Sequence, residues 1–289
     1  MPRLNLDWLK PPKVPADGVM SLGEHLREFR YRVVVSAITI LVGMIGVAFF
    51  WQPLLDVLAS PLLVAFQVLR ETNPKLNMSL TMDNYVAPFF LVLRICLVGG
   101  LVVTSPMWLY QAWAYIVPAL LAKEKKLALA FIAVATPLFL FGCAVAYWVM
   151  PQGIIVMLQF TPDNLGILNL LNVGNYVDLL LQLMVVFGLG FLVPVFVVGL
   201  NLIGLLSAAM LKKARVGVVF GTFVFGAAAT PGTDPFSMLA LAVPMMLLFF
   251  AAEAICHVND KRRAKRLAEA EAADAAETAA RRGLPAIQG

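Results

Sequence analysis

EHLREFRYRVVVSAITILVGMIGVAFFW, residues 24–51, decides how the rest of the chain is read. Its first nine residues carry Glu24, Arg27, Glu28, Arg30 and Arg32; its remaining nineteen carry no charge at all. Crossing a hydrocarbon core takes about 20 predominantly apolar residues, so the second part is long enough to span a membrane. Arginines beside such a span are ordinary topology signals. The two glutamates are not, and they are what needs a role.

Composition extends the reading to the whole chain. The 289 residues are 61% hydrophobic and 13% charged, where a soluble domain is about half apolar and about a quarter charged. The net charge of +5 is spread over several segments between apolar runs, which argues against one nucleic-acid-binding patch. The start, MPRLNLDWLKPPKVPADG, has neither an apolar core nor a small-residue cleavage site, so a retained first span is expected in place of a cleaved leader. Cys96, Cys143 and Cys256 lie in or beside apolar runs with no metal-site or disulfide spacing, and read as small buried hydrophobes.

Six runs qualify as spans: 33–52, 88–110, 127–150, 176–205, 216–230 and 236–255. With the N-terminus inside, Lys and Arg concentrate in the inner segments, and only Arg70, Lys75 and Arg94 fall elsewhere. The positive-inside rule then places both termini in the cytoplasm. The expected fold is an all-α polytopic membrane protein: an extension over residues 1–20, a six-span domain over 21–256, and a disordered charged tail over 257–289. Ser21 and Glu24 fit a capping box, and Pro53 is the next stop signal. A helix from 22 to 52 would be about 46 Å long, so its first turns project beyond the membrane. Pro106, Pro137, Pro194 and Pro244 lie inside spans and permit kinks. Kinked spans around short fifth and sixth ones predict a concave arrangement, with short helices over the outer loop 54–87.

Catalytic signatures are absent. There is no Walker A sequence, no HExxH and no GxSxG, and His25 and His257 alone cannot make a zinc site. No enzyme activity and no cofactor are expected. Ionisable or polar groups inside spans are the default candidates for function: Arg94 in the second span, Asp178 at the start of the fourth, and Gln182 one turn later. Arg94 has a bland reading, snorkelling to the outer interface; Asp234, in the turn PGTDP, has one as a helix cap. Glu28 and Arg32 are spaced i, i+4, a pair worth about 0.3–0.5 kcal/mol. Glu28 and Glu124, the acid in AKEKK, are also two carboxylates beside the membrane surface, suited to guanidinium partners.

These residues resemble a family. HLREFRYR (25–32) is similar to the HLxELRxR signature of TatC, the multi-span core of the twin-arginine protein translocase. ASPL (59–62), LYQAWAYIVPALLAKEKK (109–126), FGLGFLVP (187–194) and ATPGTDPFS (229–237) resemble its later blocks, in order. The resemblance implies a non-enzymatic protein of the bacterial cytoplasmic membrane that binds twin-arginine signal peptides and exports folded cargo on the proton-motive force. It implies partners: single-span TatB-type and TatA-type subunits, further TatC copies and the lipid bilayer, with no nucleic acid. Glu28 and Glu124 match the two acidic positions of the peptide contact. Arg30, Pro61, Tyr115 and Asp234 match other motif positions, Tyr115 standing where members often have Phe. One departure stands out: where others carry a Glu in the fourth span, this chain has Leu192, with Gln182 a turn-aligned polar group on that span. The competing readings are a secondary transporter of a small ion or anion using Arg94 and Asp178, which the lack of an internal repeat weakens, and an assembly factor.

Overall fold

A computed structural model of the chain describes residues 22–72, 77–82, 84–116, 125–162, 168–229 and 235–283. The opening stretch is helical, as its pattern requires. Helix α1 (Leu22–Ala48) ends earlier than Pro53 would set it, in a turn where the Phe50 amide donates to the Val47 carbonyl (2.8 Å). Pro53 instead falls in the first turn of α2 (Trp51–Thr72), where a missing N–H costs nothing.

The loop expected to hold short helices is thus one long helix followed by strand β1 (Asn77–Thr81). Leu62, Ala65 and Leu69 are buried along α2, which packs on three later helices. Pro61 lies inside it and cannot donate to the carbonyl four residues back. That carbonyl, on Val57, is satisfied otherwise: the Tyr147 hydroxyl donates to it at 2.8 Å and the Ser60 hydroxyl at 2.9 Å.

Helices α3 (Ala87–Val103) and α4 (Ser105–Ile116) form the expected second span, broken by 62° at Thr104 beside Pro106. The carbonyls loosened at the break find side-chain donors. The Thr104 hydroxyl donates to Gly100 O (2.8 Å) and the Trp108 indole N–H to Leu101 O (2.9 Å). Four more helices follow: α5 (Lys125–Leu158), α6 (Val173–Leu202), α7 (Ala208–Ala229) and α8 (Pro235–Gly283). Strand β2 (Leu168–Asn172), just before α6, pairs in parallel with β1, Asn77 facing Leu168 and Thr81 facing Asn172. This small sheet is an addition to the all-α expectation. NMSLT does alternate polar and apolar residues, but over five residues only, and LNLLN breaks the alternation at Leu170 and Leu171.

By length and apolarity, five helices can cross a membrane and the bent α3–α4 pair makes a sixth. The number agrees with the sequence, but the members differ. Helix α2 qualifies, whereas α7 does not, because Lys212, Lys213 and Arg215 occupy its first half. Contacts between helices show how the chain runs. Arg32 meets Gln111, Gly199 meets Trp113, and Asn201 meets Asp260 at one end, here called the basic end. The sheet and the Arg94–Asp178 pair mark the other, the strand end. Direction therefore alternates through α1, α3–α4, α5, α6, α7 and α8, and both α1 and α8 have their outer termini at the basic end. Helix α2 leaves α1 at its far end and delivers the chain to β1, adding no reversal.

Close approach depends on glycine. A Cβ on Gly100 would stand 2.6 Å from the Met44 amide nitrogen of α1, and one on Gly142 would stand 2.6 Å from the Phe187 carbonyl of α6. Helices in lipid gain little from apolar burial and associate through such backbone contact. Helix α8 does not stop at Cys256, where the membrane domain was expected to end. Its residues after Asp260 are mainly Ala, Glu, Lys and Arg, strong helix formers, and a Lys265–Glu269 pair at i, i+4 adds to them.

Candidate functional site

Glu28 is a glutamate in the membrane-proximal part of α1, yet only 2% of it is exposed. It is buried because α1 lies against α4, which brings Gln111 beneath it. The Arg32 guanidinium, one turn on, donates to Glu28 Oε1 through Nε (2.9 Å) and a terminal nitrogen (2.6 Å), and through its other terminal nitrogen to Gln111 Oε1 (3.1 Å). The i, i+4 pair read from sequence is therefore real, but it leaves half of the carboxylate unused. Glu28 Oε2 is buried and has no hydrogen-bond partner among the described residues. An unmet buried acceptor costs about 1–3 kcal/mol, more when charged, so this oxygen gains most from an arriving donor.

Aromatic rings close one side. Tyr115 stacks on His25 at 4.6 Å between centroids and leans on Phe29 at 5.1 Å. Away from the charges, an apolar groove of about 430 Å³ runs between α1 and α4, past Val33, Ala37, Ile40, Leu101 and Trp108. The site thus joins a carboxylate, a π face and an apolar slot.

The other sequence candidates are placed as follows. Arg30 is exposed on α1 near this site. Glu124 and Asp234 lie outside the described residues. Pro61 sits far from the groove, inside α2, and shapes that helix. Arg94 and Asp178 are brought together as an ion pair joining α3 to α6. That pairing neutralises the two charges the transporter reading needs. Gln182 is exposed, whereas Leu192 is 3% exposed in a cluster with Leu109, Trp113 and Phe139, so Gln182 does not stand in for a carboxylate there.

Sequence reasoning missed Gln111, whose only signal was a polar residue amid LYQAWAYI. It also missed a polar junction at the basic end. Asp260 accepts from Asn201 Nδ2 (2.8 Å) and from the Ala208 amide (2.7 Å), and Asn259 Nδ2 donates to Asn201 Oδ1 (2.9 Å). Beside it Arg215 bonds both oxygens of Glu253, at 2.9 and 2.8 Å. Among the described residues no cluster of side chains is arranged to hold a metal.

Comparison with known proteins gives a consistent picture. Residues 24–244 match the family model described as Sec-independent protein translocase protein (TatC). A Sec-independent protein translocase protein TatC of Rothia mucilaginosa is 37% identical over 89% of this chain and 86% of its own length. TatCy of Bacillus subtilis is 31% identical over 80% of this chain and 86% of that protein. A crystal structure of the twin arginine translocase receptor TatC in DDM superposes with a TM-score of 0.67 at 28% identity, covering 80% of this chain and 99% of that one.

Proposed function

Because the chain belongs to the TatC family of Sec-independent protein translocase proteins, we propose that the groove headed by Glu28 is where it receives the arginine-bearing signal peptide of its cargo. Membership makes it a multi-pass membrane component of that translocase. The observation that supports the reading is a buried carboxylate with one oxygen unpartnered among the described residues, bonded to Arg32, which itself lines an apolar slot.

Arg32 occupies the seat a ligand guanidinium would take. Exchange of one guanidinium for another on Glu28 keeps the buried charge paired throughout, which avoids the heavy cost of an isolated carboxylate. A planar, permanently charged fork suits both the carboxylate and the Tyr115 ring; an ammonium suits neither as well. Glu124, at the end of the connection between α4 and α5, supplies the second carboxylate for a paired-arginine motif. The peptide's apolar stretch then follows the groove between α1 and α4. The basic end faces the cytoplasm of a bacterium, as the distribution of Lys and Arg favours. TatB-type and TatA-type subunits and further TatC copies complete the machine, and the proton-motive force drives it without catalysis by this chain.

Binding of the purified protein to a twin-arginine signal peptide and to its twin-lysine variant tests this. The arginine peptide should bind at least tenfold more tightly. Equal affinity removes the guanidinium-recognition model.

A further inference from the structure

At the basic end, on the side away from Glu28, a second groove opens sideways between α5, α6 and α8. Trp113 and Phe131 lie at its floor, and Val198, Leu202, Ala251 and Ile255 line its sides, enclosing about 310 Å³. Leu202 is 46% exposed and Ile255 53% exposed, so the slot faces outward, toward the surroundings of the membrane-spanning helices.

What stands at its mouth is cationic. Beyond Ile255, helical spacing brings Asn259, Arg262, Arg263 and Arg266 onto the same side of α8. The Arg263 guanidinium packs against Gly204, two residues past Leu202, where a positive φ of 82° and the lack of a Cβ leave room for it. Among the described residues, no carboxylate lies within ion-pair distance of Arg262, Arg263 or Arg266. The nearby acids are engaged elsewhere: Asp260 with Asn201 and the Ala208 amide, Glu253 with Arg215.

We propose that this groove and the arginines above it bind one anionic phospholipid, an acyl chain lying against Trp113 and the phosphate held by Arg263 with Arg262 or Arg266. The occupant must join an apolar chain to an anion at the membrane interface, and the bilayer supplies such molecules to an outward-facing slot. The inference rests on the chain spanning a membrane and not on the peptide-binding reading.

Trp113 makes it testable. The full-length protein in detergent is titrated with phosphatidylglycerol or phosphatidylcholine brominated on the acyl chains, and the Trp113 contribution is taken as the difference from Trp113→Phe. Phosphatidylglycerol should quench Trp113 at several-fold lower concentration. Each of Arg262→Gln, Arg263→Gln and Arg266→Gln that removes a phosphate contact should reduce that preference by roughly fivefold. Raising salt should weaken the phosphatidylglycerol curve alone. Equal quenching by both lipids, no quenching by either (as expected for a slot reserved for a partner helix), or a preference unchanged in the triple variant would overturn the proposal.

Discussion

At the scale of residues, Glu28 and Arg32 are unequal partners. The Arg32 side chain is 17% exposed and that of Glu28 only 3%. Removing the arginine strands a buried carboxylate, whereas removing the carboxylate leaves a guanidinium that reaches water. Arg32→Gln should therefore destabilise the protein by about 3 kcal/mol, and Glu28→Gln by clearly less. Thermal unfolding in detergent would show it, and the opposite order would mean that Oε2 has a partner. For peptide affinity the ranking reverses, with Glu28→Gln losing roughly 30-fold or more. The i, i+4 relation was legible in the sequence because it is local. Gln111, 79 positions away, was not: which side of α4 faces α1 follows from the break at Thr104, and no pattern in one sequence reports the angle of a break.

At the scale of elements, the stop signal at Pro53 was read correctly as chemistry and assigned to the wrong job. Pro53 opens a helix, and Pro61 sits within one because its orphaned carbonyl has another donor. This makes a measurable coupling. Tyr147→Phe removes the bond to Val57 O and should cost about 1 kcal/mol. With Pro61→Ala in place, an amide four residues on is restored to that carbonyl, and the same Tyr147→Phe change should cost clearly less. A double-mutant cycle on unfolding stability measures the difference; strict additivity would show that the hydroxyl does not compensate for the proline. The long helices were legible through their apolar runs. The pairing of the strands was not, since each takes its place from a partner about ninety residues away. Nor was the continuation of α8, whose alternating Ala and Glu read as disorder when considered without the junction that fixes Asp260.

At the scale of the molecule, the alternation of α1, α3–α4, α5, α6, α7 and α8 puts Lys212 and Tyr85 at opposite ends. The native cysteines are all buried, so single cysteines at these positions can be labelled against a quiet background. In cells, Lys212→Cys should react only with permeant reagents and Tyr85→Cys with impermeant ones as well. Both reacting from the same side would break the six-pass arrangement. The sequence conveyed this topology through its charges, and the six segments it counted, the short α7 included and α2 left out, are the ones whose direction alternates. Charge position depends on which side a segment occupies, and this holds however long the segment is.

Helix α8 sets a distance. From residue 257 to 283 it continues for roughly 40 Å at 1.5 Å per residue, about the width of a small folded domain, and it is rooted by Asp260 against the α6–α7 turn. A rod of that height on one flank acts as a fence. A folded load tethered to a peptide held, as proposed, in the α1–α4 groove would have this charged post on one flank. Such a post would narrow the direction from which that load approaches the membrane before any contact with the load itself is made.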